Sequence, residues 1–204
     1  MMPSFALGAL PKPSGDPLLD QLRFMAHLPK QCGGAQTHQY ASIYEFVAER
    51  GNTAPEIALT IEEQAWFKQV TRGVQYPIKQ CFSNSQQFVL NGAELLPEGW
   101  TIAYVEGFVA PDRIPMAIHH GWAVLNGKLI DLTLRYHDLK PKRGDRFADR
   151  AIGLFPKRQY RGVTFTVQDV QKHVLAHREW GTIIDNWRDG HPLLRGEGSY
   201  VRSA

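Results

Sequence analysis

The sequence predicts an α+β fold. Three segments between residues 41 and 93 place apolar side chains at helical spacing, and from Trp100 the period changes to two. After a further short strand pattern a helical one returns. Helices, then an antiparallel sheet, then a closing helix is the order these observations give.

Residues 1–40 are rich in Pro, Gly and Gln, with a short apolar patch around Leu18 to Leu28, so an irregular N-terminal arm with at most one short helix is expected. Residues 41–204 are expected to form a single domain. Ala41 to Arg50 reads as a helix through Ile43, Phe46 and Val47. Thr60 to Val70 follows, with Thr60-Ile61-Glu62-Glu63 as a capping box and Trp66, Phe67 and Val70 as the buried stripe. A third helix is expected from Cys81 to Ala93, ended by Gly92 and Pro97. Thr101 to Val109, Ile118 to Leu125 and Lys128 to Leu134 read as strands, the last two joined by the hairpin signal Asn126-Gly127. A strand at Gly162 to Val167 and a helix at Val170 to Trp180 complete the pattern, before a polar tail.

With 204 residues, 43% of them apolar and 21% charged, the chain has the composition of an ordinary globular protein. Its net charge of +3 is unevenly spread: residues 1–100 hold 7 Lys/Arg against 9 Asp/Glu, and residues 101–204 hold 16 against 11. Most of the excess lies between Arg135 and Arg161. Aromatics there are sparse and irregularly spaced, so a solvated face is expected and not a nucleic-acid site. Two cysteines in unlike contexts, Cys32 and Cys81, do not suggest a disulfide framework. No basic leader and no membrane-spanning apolar run is seen, and a reducing cytoplasmic setting is expected.

The chemistry concentrates on Cys81. A thiol attacks a carbonyl efficiently only as thiolate, and a helix N-terminus favours that charge through its unpaired N–H groups. Downstream the chain reads His119-His120-Gly121-Trp122 and then Asp131-Leu132-Thr133. A two-residue turn at Asn126-Gly127 pairs Leu125 with Lys128, Trp122 with Asp131 and His120 with Thr133. Alternation then puts His120, Trp122, Val124, Leu129, Asp131 and Thr133 on one face, and His119, Ala123, Ile130 and Leu132 on the other. His120 and Asp131 become diagonal neighbours about 7 to 8 Å apart, a span their side chains can close. The expected roles are Cys81 as nucleophile, His120 as general base and acid, and Asp131 as the group orienting the imidazole. The Cys81 backbone N–H is one oxyanion donor, with Gln75 and Gln80 as candidate side-chain donors.

A Cys at a helix start, a strand with His-x-Trp and a second with Asp-x-Thr resembles the papain-like cysteine enzyme superfamily, and within it the transglutaminase-like branch, over Gln75 to Leu134. One difference is Phe82, where those sites commonly carry Trp. The resemblance implies a nucleophile helix packed on an antiparallel sheet, a Cys81-His120-Asp131 triad, and acyl transfer at an amide bond of a peptide, protein or small amide through a thioester. It calls for no cofactor and no metal. Other expectations are structural: Trp122 as core or pocket wall, Asn84 as a tie from helix to strand or a substrate contact, His119 as structural or substrate-contacting, and Glu106 as an exposed strand carboxylate. His173 and His177 read as helix surface and not a metal pair. The alternative reading is a non-catalytic papain-like interaction module using the basic residues 135–161.

Overall fold

The computed structural model describes residues 11–31, 38–54, 57–110, 116–134 and 158–201. These residues contain helices α1 (Pro17–Gln31), α2 (Ile43–Arg50), α3 (Ile61–Val70), α4 (Cys81–Glu94) and α5 (Val167–His177). The strands are β1 (Asn52–Thr53), β2 (Ile102–Ala110), β3 (Ile118–Leu125), β4 (Lys128–Ile130) and β5 (Gln159–Phe165). The strands form one antiparallel sheet in the order β1-β5-β2-β3-β4. The α+β class is therefore observed.

The starts of α2, α3 and α5 are fixed by side-chain caps. Ser42 accepts the Glu45 N–H and opens α2; Thr60 and Glu63 form the expected capping box of α3. A second capping box, Thr166 with Asp169, opens α5 at Val167, earlier than the helical period alone indicates, and α5 ends at Arg178 in the left-handed region. Strand β5 likewise begins at Gln159, before Gly162. The N-terminal stretch is more ordered than expected: α1 runs for 15 residues, and Leu18, Leu22 and Ala26 are buried. The Leu18 N–H donates to Gln159 Oε1 at 3.1 Å, and Gln21 Oε1 accepts the Ala117 N–H at 2.9 Å. Leu18 and Leu22 thus join the same core as Phe46, Phe88, Phe108 and Phe165.

The hairpin sets the register. Asn126 (φ 49°) and Gly127 (φ 76°) both occupy the left-handed region that a tight two-residue turn requires. Leu125 pairs with Lys128, Val124 with Leu129 and Ala123 with Ile130. Tyr104, Phe108, Ala123, Leu125, Ile130, Val163 and Phe165 line the face packed in the main core, while Val105, Val109, Trp122, Leu129 and Tyr160 form a second cluster on the opposite face. The second strand is shorter than expected. It ends at Ile130, so Thr133 does not pair with His120; the Asp131 side chain accepts the N–H groups of Thr133 and Leu134 at 2.9 and 2.8 Å and turns the chain out of the sheet.

Glu63 locks this turn to α3. Its buried carboxylate accepts the Thr60 N–H (2.7 Å), the Lys128 ammonium (2.7 Å) and the Asn126 amide (3.1 Å). Glu63→Ala removes the cap and strands two polar partners, so it is expected to cost about 2 kcal/mol. Thermal unfolding should show a melting temperature about 4–8 °C lower.

Candidate active site

Cys81 is the first residue of α4, half-buried, and follows Gln80, which closes the helix start without a side-chain cap. Lys79, two residues before Cys81, adopts a φ of 67°, in the left-handed region. Helix α4 packs on β2 and β3. Its approach depends on Gly121, where a Cβ would lie 2.8 Å from the Tyr104 hydroxyl and 3.0 Å from Phe82 Cδ1. On the N-terminal side of Ala123 the ladder with β4 has ended, and there Ser85 Oγ donates to the Gly121 carbonyl at 2.9 Å. Asn84 Nδ2 donates to the Pro77 carbonyl (2.8 Å) and to Thr133 Oγ1 (3.1 Å). The first turn of α4 is thereby pinned to both the loop before it and the turn that carries Asp131.

At this junction His120 Nε2 donates to Asp131 Oδ2 at 2.8 Å, with both groups buried. Burial disfavours the imidazolium, but the Asp131 charge and hydrogen bond outweigh it, and the Cys81 sulfur adds in the same direction; His120 is raised to about 9. With Nε2 committed to Asp131, Nδ1 is the nitrogen left to face the thiol. Burial pushes the Asp131 carboxyl up, yet His120, the Leu134 N–H and the Tyr160 hydroxyl hold it below its ordinary value. Asp131 has four donors: His120 and Tyr160 on Oδ2, both at 2.8 Å, and the Thr133 and Leu134 N–H groups on Oδ1.

The remaining expected residues separate. Trp122 is fully buried, its ring stacked 6.2 Å from that of His120 at 21°, so it braces the imidazole from within and has no surface for substrate. Asn84 is buried in the tie just described. Gln75 and Gln80 have exposed side chains near the helix start. His119 lies on the other face of β3, its ring between Phe82 (5.0 Å) and Phe108 (5.3 Å).

Glu106 corrects the expectation of an exposed carboxylate. It is fully buried and accepts from the Tyr104 hydroxyl, the Thr182 hydroxyl and the Ile183 and Ile184 N–H groups. His119 Nε2 stands 3.1 Å from Oε1. Burial pushes the Glu106 carboxyl up, but His119 and these donors hold it below its ordinary value. Strand alternation could not show this, because its partners come from the Thr182–Ile184 segment far along the chain.

His173 and His177 bring their rings within 4.6 Å, and His177 Nε2 meets Asp189 Oδ2 at 3.2 Å. Among the described residues no group of three or more His, Cys, Asp or Glu side chains could hold a metal, and no helix is long and apolar enough to cross a membrane. Cys32 and residues 135–157 of the basic stretch lie outside the described residues. Arg161, at its end, donates to the Ala48 carbonyl at 3.0 Å and serves the fold. No family model, curated protein or solved structure matches the chain.

The pair makes stability depend on pH. His120 is raised from 6.5 to about 9, so its stabilisation is full below pH 6.5 and is lost as pH rises to about 9. Asp131 is depressed, so its contribution holds above 3.8 and fails as pH falls below that value. Denaturation midpoints should therefore decline between pH 6.5 and about 9, and Asp131→Asn should flatten that decline while returning the His120 NMR titration toward 6.5.

Proposed function

We propose that the chain is a cysteine-dependent acyl-transfer enzyme acting on an amide bond through a Cys81 thioester, as the resemblance to transglutaminase-like papain enzymes implies. The observation that carries this is the buried His120–Asp131 pair at 2.8 Å, with the Cys81 sulfur as a further partner of the same imidazole. A buried ion pair costs several kcal/mol of desolvation per ion, and setting it beside a half-exposed thiol at a helix start has a direct chemical use.

In this reading the imidazolium of His120 stabilises a thiolate at Cys81. The sulfur attacks the acyl carbon, and the developing oxyanion is met by the Cys81 N–H at the start of α4. Collapse of that intermediate breaks the C–N bond, and the His120 proton passes from Nδ1 to the leaving amine. Asp131 stays a carboxylate throughout and keeps Nε2 occupied, which holds Nδ1 toward the sulfur. Water as second nucleophile, deprotonated by the now neutral His120, gives a hydrolase; an amine gives a transferase. A peptide, a protein or a small amide fits as substrate, and a reducing compartment such as the cytoplasm keeps the thiol free.

Iodoacetamide labelling tests the reading without a known substrate. At mildly acidic pH Cys81 should be alkylated at least tenfold faster than Cys32, and His120→Ala should abolish the difference. Equal, slow labelling of both cysteines in the unmodified protein would sink the assignment.

A further inference from the structure

We infer that Tyr160 is a positioning residue for His120: its hydroxyl fixes the Asp131 oxygen that holds the imidazole. This rests on the proposed reading of Cys81, His120 and Asp131, and adds a fourth residue to it from β5, on the face of the sheet that carries His120 and Trp122.

The geometry of the Asp131 carboxylate makes the need visible. Oδ1 is held by two backbone donors, the Thr133 and Leu134 N–H groups, at 2.9 and 2.8 Å. Those bonds anchor one oxygen and leave the carboxylate free to tilt about it. Oδ2 is the oxygen that must stay aligned on His120 Nε2, and Tyr160 is the donor that reaches it, at the same 2.8 Å as His120 itself. Tyr160 gives Oδ2 an anchor besides the imidazole it must orient; without that hydroxyl, His120 itself is the donor left on that oxygen.

Tyr160 is itself immobilised. It is 1% exposed, and its ring meets Trp122 edge to face with centroids 5.2 Å apart. Trp122 in turn stacks on His120, and the Tyr160 ring lies 6.5 Å from the imidazole. The three rings therefore close on one another above β2, with Tyr160 arriving from β5, where it pairs with Val109, and His120 from β3, where it pairs with Gly107. The polar groups facing the imidazole then come from three directions: Asp131 after β4, Cys81 from α4 and Tyr160 from β5.

Tyr160→Phe keeps the ring and removes the hydroxyl. Two readings follow it: the His120 ring titration by NMR, and the pH dependence of Cys81 alkylation by iodoacetamide. The His120 midpoint should fall by about one unit, a tenfold loss of proton affinity, and Cys81 alkylation at mildly acidic pH should slow about tenfold. Tyr40→Phe is the control. It removes another buried hydroxyl, bonded to Arg50 Nε at 2.6 Å, and should lower the melting temperature while leaving both readings at their original values. A His120 midpoint in Tyr160→Phe that stays put or moves upward overturns the inference and leaves the Cys81 reading intact. Should the unmodified protein show an ordinary, slow Cys81, the nucleophile reading fails and the His120 titration alone decides the role of Tyr160. If Tyr160→Phe does not fold, the unmodified protein supplies the test: a slowly exchanging Tyr160 hydroxyl proton with a cross-relaxation peak to His120 Nε2–H is expected, and its absence overturns the inference.

Discussion

The bond from His120 Nε2 to Asp131 Oδ2 is the constraint around which the described structure is arranged. Two opposite charges cannot be buried cheaply unless their remaining hydrogen-bonding capacity is met. Here it is met by four separate elements. The turn after β4 supplies two backbone N–H groups, β5 supplies Tyr160, α4 supplies Cys81, and β3 supplies the imidazole and the Trp122 ring against it.

The same constraint explains why β4 is so short. A strand continuing past Ile130 would carry Asp131 and Thr133 along the edge of β3. Instead Asp131 uses one oxygen to turn the chain out of the sheet and the other to receive His120. The space left beside β3 is where the first turn of α4 enters, with Ser85 on the Gly121 carbonyl and Asn84 on Thr133. The shortened strand and the position of the cysteine are one event. On the opposite side of β3, Glu106 does for the fold what Asp131 does for the site, gathering Tyr104 and the backbone of Ile183 and Ile184 around a single buried carboxylate.

Much of this was legible in the sequence because it rests on local rules. Asn126-Gly127 demands positive φ at two successive residues, which sets the hairpin and hence the side of β3 on which His120 lies. Thr60-x-x-Glu63 announces a helix start by its own capping chemistry. What was not legible depends on contacts distant along the chain. Tyr160 reaches Asp131 from a strand 29 residues onward, and nothing local to Gln159–Phe165 signals a hydroxyl aimed at a carboxylate. Glu106 looks like a solvent-facing carboxylate in an alternating strand until the Thr182–Ile184 segment folds over it. The α1 helix was obscured by the Pro- and Gly-rich residues around it, although Leu18, Leu22 and Ala26 follow a helical spacing into the core.

The central claim is that Cys81 carries an acyl group during turnover, and intact-mass spectrometry after incubation with activated ester and amide probes tests it most directly. The account predicts a single acyl adduct that maps to Cys81, is lost in Cys81→Ala, and forms much more slowly in His120→Ala. Acylation spread over surface lysines, or an adduct unaffected by Cys81→Ala, would contradict it.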